Sequence, residues 1–269
     1  MLPFTKAHAY GNDFLYVPQH AVEGADLFAL ARRLCAPHTG LSADGLIVYG
    51  WTPDGAVMRL VNADGSPAEI SGNGLRGLAA LVVRHRGTPA QVVPGAEVTI
   101  RTDAGDRVLT LVDRRDPRFT FRAAMGEPAD VRRTDIDAAG IRVTVSVFSI
   151  GNPQCVVLGP LPDDGMFAKL GPALERHPVF PHGTNVEFVQ IESPDRVRIR
   201  IWERGVGPTS SSGTGACAAA VAAIAHGGAS HQVEVVAPGG SQVVEWTAAG
   251  VFLTGWVEIL AEGHWVGDL

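Results

Sequence analysis

Residues 71–85 read S-G-N-G-L-R-G-L-A-A-L-V-V-R-H, and residues 212–226 read S-G-T-G-A-C-A-A-A-V-A-A-I-A-H. An offset of 141 aligns Ser71 with Ser212, Gly72 with Gly213, Gly74 with Gly215, Ala79 with Ala220 and His85 with His226. The same offset aligns Arg59 with Arg200, Pro67 with Pro208, Pro37 with Pro178 and Val48 with Val189, and sets Asp44 on Asn185. At an offset of 140, Gly11 and Asn12 fall on Gly151 and Asn152. A nearly constant offset across most of each half points to a duplicated domain. Its period is far longer than that of solenoid repeats. Two copies of one fold are therefore expected to face each other, with their matching glycine tips lining one cleft.

Local patterns fill in each copy. β-branched and aromatic runs at 14–17, 46–49, 98–102, 107–112, 142–148, 186–189, 197–202, 232–236 and 250–253 read as strands. Residues 25–36 place Leu27, Leu30, Ala31 and Leu34 on one helical face, and 166–176 are their counterpart. The helices predicted at 74–84 and 215–225 differ, because they are apolar on nearly every side, which marks a buried helix. The expected class is α/β (α+β): two pseudo-symmetric halves, each a curved sheet wrapped around a central buried helix, with a substrate cleft between them. The charged, proline-broken run at 113–118 is the candidate link. It gives an N-terminal half of 1–115, joined by a strand-like tail at about 256–269, and a C-terminal half of 116–255.

Composition narrows the partners. The chain has 269 residues, 46% apolar and 19% charged, which is ordinary for a globular protein and enough for two cores. A net charge of −6 without a basic run argues against nucleic acid or an anionic membrane as partner. The first residues lack a signal-peptide apolar core and no apolar run spans a bilayer, so a cytoplasmic protein is expected. Cys35, Cys155 and Cys217 are scattered and odd in number, which suits buried thiols and gives neither a disulfide framework nor a metal site.

Ser71 and Ser212 stand where an N-cap belongs. Beyond each, glycines let a ligand approach, and the free N–H groups and positive dipole end of a helix attract an anion such as a carboxylate. Two such tips could grip one small anion. The Lys-Ser/Thr of a phosphate loop is missing. A serine here also serves as an ordinary cap.

Several segments carry a resemblance. They are F-T-K-A-H-A-Y-G-N-D-F at 4–14, A-D-G-L-I at 43–47, R-L-V-N-A-D-G-S-P-A-E at 59–69 and S-G-N-G-L-R at 71–76. G-N-P-Q-C-V at 151–156, G-T-N-V-E-F at 183–188, W-E-R-G-V-G at 202–207 and S-G-T-G-A-C-A-A-A at 212–220 continue the series in order. The chain resembles the diaminopimelate epimerases, members of the cofactor-independent amino-acid racemase and epimerase superfamily. The resemblance implies two similar halves with the substrate between them, no cofactor, and a homodimer. It also implies inversion of an α-carbon: one cysteine thiolate removes the proton and a second cysteine delivers one to the opposite face. Asn12, Asn62, Asn152 and Asn185 would contact the polar ends of a small amino acid, diaminopimelate of lysine biosynthesis first. Glu203 and Arg204 would pair with the amino and carboxylate groups of the distal centre. Gly72, Asn73, Gly213 and Thr214 would supply backbone donors. The bland alternative for the asparagines is turn chemistry.

The sequence departs from the family where the chemistry lies. The two catalytic cysteines fall on Ser71 and Ser212. A thiol ionises near pH ~8.5 and can be tuned toward neutrality, whereas a serine hydroxyl needs a helper. Deliberate replacement of both thiols or natural divergence would each explain the serines; Gly77, Gln154 and Pro208 also stand where many members carry Cys, His and Glu, which favours divergence. Three outcomes stay open: an epimerase or racemase with different assistance, another carbanion reaction such as dehydration or a double-bond shift, and a non-catalytic amino-acid binder. Asp64, Glu69 and Glu203 are the acidic candidates near the tips, and His182 is a possible helper.

Overall fold

A hairpin opens the chain. In the computed structural model, which describes residues 1–68, 71–87, 92–103 and 105–267, β1 (Leu2–Ala9) pairs antiparallel with β2 (Asn12–Pro18). Its two-residue loop is Tyr10 and Gly11, both at positive φ (+58° and +87°), as a tight hairpin turn of this hand requires. A tyrosine is strained there. Trp256 N donates to Tyr10 Oη at 3.0 Å and the two rings lie 4.5 Å apart, which holds the turn that presents Asn12.

Contacts divide the chain into two units, Met1–Ala123 with Gly255–Leu269, and Ala124–Thr254. In the first, the helix α1 (Leu27–Leu34) carries the chain from β2 to the parallel strand β3 (Gly45–Thr52). Asp26 caps it by accepting from Phe28 N and Ala29 N, and Leu30, Ala31 and Leu34 form its buried face. β4 (Gly55–Asn62) returns antiparallel, followed by the short β5 (Pro67–Ala68). The helix α2 (Gly72–Arg86) then crosses to β6 (Glu97–Thr102), parallel to β4. β7 (Gly105–Arg115) and β8 (Arg118–Gly126) extend the sheet.

The second unit repeats this order. β9 (Ala129–Ala138) and β10 (Ile141–Ser149) pair antiparallel, and β10 pairs with β11 (Pro153–Leu158). The helix α3 (Asp164–Glu175) crosses to the parallel β12 (Asn185–Ser193), which pairs with β13 (Arg196–Glu203) and is followed by β14 (Gly207–Thr209). The helix α4 (Gly213–Gly227) crosses to β15 (Gln232–Ala237), parallel to β13, and β16 (Gly240–Thr247) and β17 (Gly250–Trp265) complete the order. The rest of β17 pairs antiparallel with β1, from His8 opposite Glu258 to Leu2 opposite Trp265.

Each central helix packs against strands of its own unit, α2 on β1, β2, β4 and β6 and α4 on β11, β12, β13, β15 and β16. α2 buries every residue from Asn73 to Val83, and α4 every residue from Gly215 to Ala223. Small side chains let α4 pack close; six of those nine are alanine. The run at 113–118 is a correction to the sequence reading. It is the hairpin between β7 and β8, with Arg115 opposite Arg118 and Arg114 opposite Phe119, inside the first unit. Asp116 and Pro117 form its loop, because proline has no N–H for the ladder. The unit boundary lies farther on, between Ala123 and Ala124 of β8. Among the described residues no helix is long and apolar enough to cross a membrane.

Candidate functional site

The first tip starts at Ser71, whose extended backbone turns the chain into α2 and whose Oγ accepts from Gly74 N at 3.1 Å. An α-helix leaves its first N–H groups without intrahelical partners, here those of Gly72 and Asn73. Ser71 and Gly72 are partly exposed, whereas Asn73 is buried. A polar chain leads inward from them. Arg76, 1% exposed, donates to Asn73 Oδ1, and Asn73 Nδ2 donates to Asn12 Oδ1 at 3.0 Å. Asn12 Nδ2 donates in turn to Asp44 Oδ2 at 2.6 Å, which also accepts from Asp13 N at 3.0 Å. The Arg76 guanidinium lies 5.7 Å from the Tyr10 ring centre. Asn12 is therefore fixed from two sides. Asn62 is engaged elsewhere, donating to Ser66 Oγ at 2.9 Å across its own turn.

The second tip is built alike. Ser212 Oγ accepts from Gly215 N at 3.2 Å and lies 3.4 Å from Thr214 Oγ1. Ser212, Gly213 and Thr214 are partly exposed. Here the N–H groups of Gly213 and Thr214 are the ones α4 leaves without intrahelical partners. Asn185 Oδ1 accepts from Arg204 N at 3.0 Å and its Nδ2 donates to Pro153 O at 3.4 Å, so it ties the 203–205 turn to β11. Arg204 also donates to His182 O at 3.3 Å. Glu175, buried at the end of α3, accepts from Gly205 N and Trp202 Nε1, both at 2.9 Å. Burial alone would raise its pKa, but these two donors with Arg176 outweigh it and hold the carboxyl below the usual range.

Asn152 sits in the β10–β11 turn and its side chain meets the amide of Gln154. Gln154 is fully buried and reaches Glu187, which is also 0% exposed. Burial first, and then the charge of Glu203, push the Glu187 pKa well above the usual carboxylate range.

Several sequence candidates find other places. Asp64 is exposed and accepts from Ser66 N at 2.7 Å, a turn role that keeps it ionised. The His182 side chain is exposed. Glu69 lies outside the described residues. All three cysteines are buried; burial pushes Cys35 up to about 12 and raises Cys155 as well, so neither of these two is a ready base. Among the described residues no group of three or more His, Cys, Asp or Glu could hold a metal ion. Arg76, Asp44, Glu175, Gln154 and Glu187 escaped the sequence reading as site-lining groups. The signal available for Glu187 was a lone acid inside the apolar run N-V-E-F-V. Taken together, each tip offers a capped helix N-terminus with free N–H groups, suited to a carboxylate, and buried polar groups directly behind it.

The model of the family described as diaminopimelate epimerase matches residues 4–131 and 146–260. A diaminopimelate epimerase of Desulforudis audaxviator (strain MP104C) is 42% identical over 280 aligned positions, covering 98% of this chain and 99% of that protein. Among solved structures, a predicted epimerase of Pseudomonas aeruginosa superposes with a TM-score of 0.75 at 16% identity, covering both chains fully. A probable proline racemase of Agrobacterium radiobacter K84 follows with a TM-score of 0.69 at 17% identity, covering 100% of this chain and 94% of that one. These two likenesses concern the fold.

Proposed function

We propose, because the chain belongs to the diaminopimelate epimerase family, that it is an isomerase acting at the α-carbon of a small zwitterionic amino acid. Diaminopimelate of lysine biosynthesis is the first substrate to test. The observation that carries this reading is the serine-capped helix N-terminus found in each unit, with its next two residues partly exposed or polar. In this reading Ser71 and Ser212 occupy the two proton-transfer positions that the resemblance assigns to cysteine. The N–H groups of Gly72, Asn73, Gly213 and Thr214 hold the substrate carboxylate and stabilise the charge that develops on it when the α-proton leaves. Asn12, Asn62, Asn152 and Asn185 bind the polar ends, and Glu203 and Arg204 pair with the amino and carboxylate groups of the distal centre. By the same resemblance the protein works without pyridoxal phosphate, as a cytoplasmic homodimer.

A second reading has a specific observation behind it. Each serine oxygen already accepts a backbone N–H, from Gly74 or Gly215, and the thiols of Cys35 and Cys155 are buried with raised pKa. A hydroxyl so held is a poor base without assistance. A family relative with other carbanion chemistry, or one that only binds the amino acid, follows if no assistance exists.

Incubation with L,L- or meso-diaminopimelate in heavy water separates these. The isomerase reading expects deuterium at Cα well above background. It also expects Ser71→Cys combined with Ser212→Cys to raise that exchange by orders of magnitude. Measurable binding without exchange would leave a binder. An unsaturated product from a hydroxylated amino acid would point to elimination.

A further inference from the structure

The two units fill the space behind their tips with different chemistry. In the first, Gly45 opposes Phe14 in the β2–β3 pairing, and Ile47 stands two residues on. In the second, Asn185 opposes Gln154 in the β11–β12 pairing, and Glu187 stands two residues on. The strand pairings make Ile47 and Glu187 equivalent, an offset of 140 that corrects the 141 read from the sequence for these two strands, and both are 0% exposed. A Cβ placed on Gly74 would meet Ile47 Cδ1 at 2.8 Å, and one on Gly215 would meet Glu187 Oε1 at 3.0 Å. The fold thus accepts a hydrocarbon at this point, and a carboxyl there carries a desolvation penalty that packing does not require.

What the carboxyl touches is specific. A Cβ on Gly215 would also lie 3.3 Å from Ser212 Oγ, so the Glu187 and Ser212 oxygens border the same bare spot on the first turn of α4. With its amide nitrogen turned toward Glu187, Gln154 donates to Oε1 at 3.1 Å and Oε2 at 3.3 Å while its oxygen faces Asn152. Glu187 is 0% exposed, and the missing side chain at residue 215 leaves its Oε1 beside the first turn of α4.

We propose that Glu187 is the proton store for Ser212. The proposal rests on the isomerase reading. When the α-carbanion is protonated, the Ser212 O–H bond breaks as the Cα–H bond forms. The Glu187 O–H bond breaks as a new O–H bond forms on Ser212, and the negative charge passes from the α-carbon to the Glu187 carboxylate. In the reverse direction the α-proton goes to Ser212 while the serine proton returns to Glu187. No free alkoxide forms in either direction. The buried environment suits this role, since burial and Glu203 favour the protonated form at rest. Of the charged groups around it, Glu203 on β13 is the one that acts on its titration; β13 also carries Arg196, Arg198 and Arg200, β11 carries Cys155, α4 carries Cys217 and His226, and α3 carries Asp164, Lys169 and Glu175. Glu187 acts through Ser212 and is a positioning and relay residue.

The test uses Glu187→Gln, which keeps the shape and removes the exchangeable proton, beside Glu187→Asp and Glu187→Ile, the last reproducing the first unit. Turnover and Cα–H exchange with L,L- and meso-diaminopimelate are measured with binding and melting temperature. The expected result for Glu187→Gln is a fall in kcat of about a hundredfold at unchanged KM and binding. Its melting temperature at pH 7 should not fall, and Glu187→Asp should recover part of the rate. Glu187→Gln turning over like the parent would overturn the relay while leaving the isomerase reading standing. Loss of rate together with loss of binding or stability would also overturn it, in favour of a structural role. A parent protein that binds diaminopimelate without any exchange would overturn both.

Discussion

Glu187 and Glu175 are both buried acids of the second unit, yet their pKa values move in opposite directions. Glu175 faces the Gly205 N–H and the Trp202 indole, which favour the charged form. Its folded pKa lies below the unfolded value of about 4.3, so its stabilisation is present above that pH and is lost as the pH falls through the folded value. Glu175→Gln should therefore be less stable than the parent by about 1–3 kcal/mol at pH 7. The gap should close in urea unfolding below about pH 4. A gap that does not change with pH would contradict the charged assignment. Neither shift was legible in the sequence: Glu187 stands in the apolar run N-V-E-F-V, Glu175 is followed by Arg176 and His177, and neither pattern shows which donors or charges face the carboxyl. The serine caps were legible, because Ser before Gly-x-Gly and an apolar run has a direct physical meaning.

At the level of elements, the two central helices solve one packing problem with different residues. In the first unit Tyr16 on β2 donates to Gly74 O at 3.0 Å and fills the space beside Gly77; a Cβ there would come within 2.5 Å of Tyr16 Cζ and closer still to its hydroxyl. In the second unit the matching positions are Val156 and Ala218, both in one core cluster. Volume has moved from helix to strand. Gly77→Ala should destabilise by about 1–3 kcal/mol through overpacking. Tyr16→Val in the same chain should recover part of that loss, which a double-mutant cycle by thermal unfolding would read as coupling. Additive effects would mean that the two residues do not share this space. The sequence showed both helices because an all-round apolar pattern survives such exchanges. It hid strands such as β9, whose A-D-V-R-R-T-D-I-D-A is polar on both faces, and it disguised the β7–β8 hairpin as a link because charge and proline also mark linkers.

For the whole molecule, the repeat in sequence corresponds to a repeat in topology: hairpin, crossover helix, antiparallel return, central helix, parallel strand. Duplication was readable because the two tips keep their glycines, which the close approach at each first turn demands. The groups behind the tips were not readable, because they diverged: Arg76 supports the first and Glu187 the second. In the proposed function a single amino acid engages both helix N-termini. Titrating L,L-diaminopimelate into isotope-labelled protein, while following the backbone amide resonances of Gly72, Asn73, Gly213 and Thr214, tests it most directly. All four should shift along one saturation curve. Amides that stay in place at saturation, or two pairs that saturate at different concentrations, would contradict it.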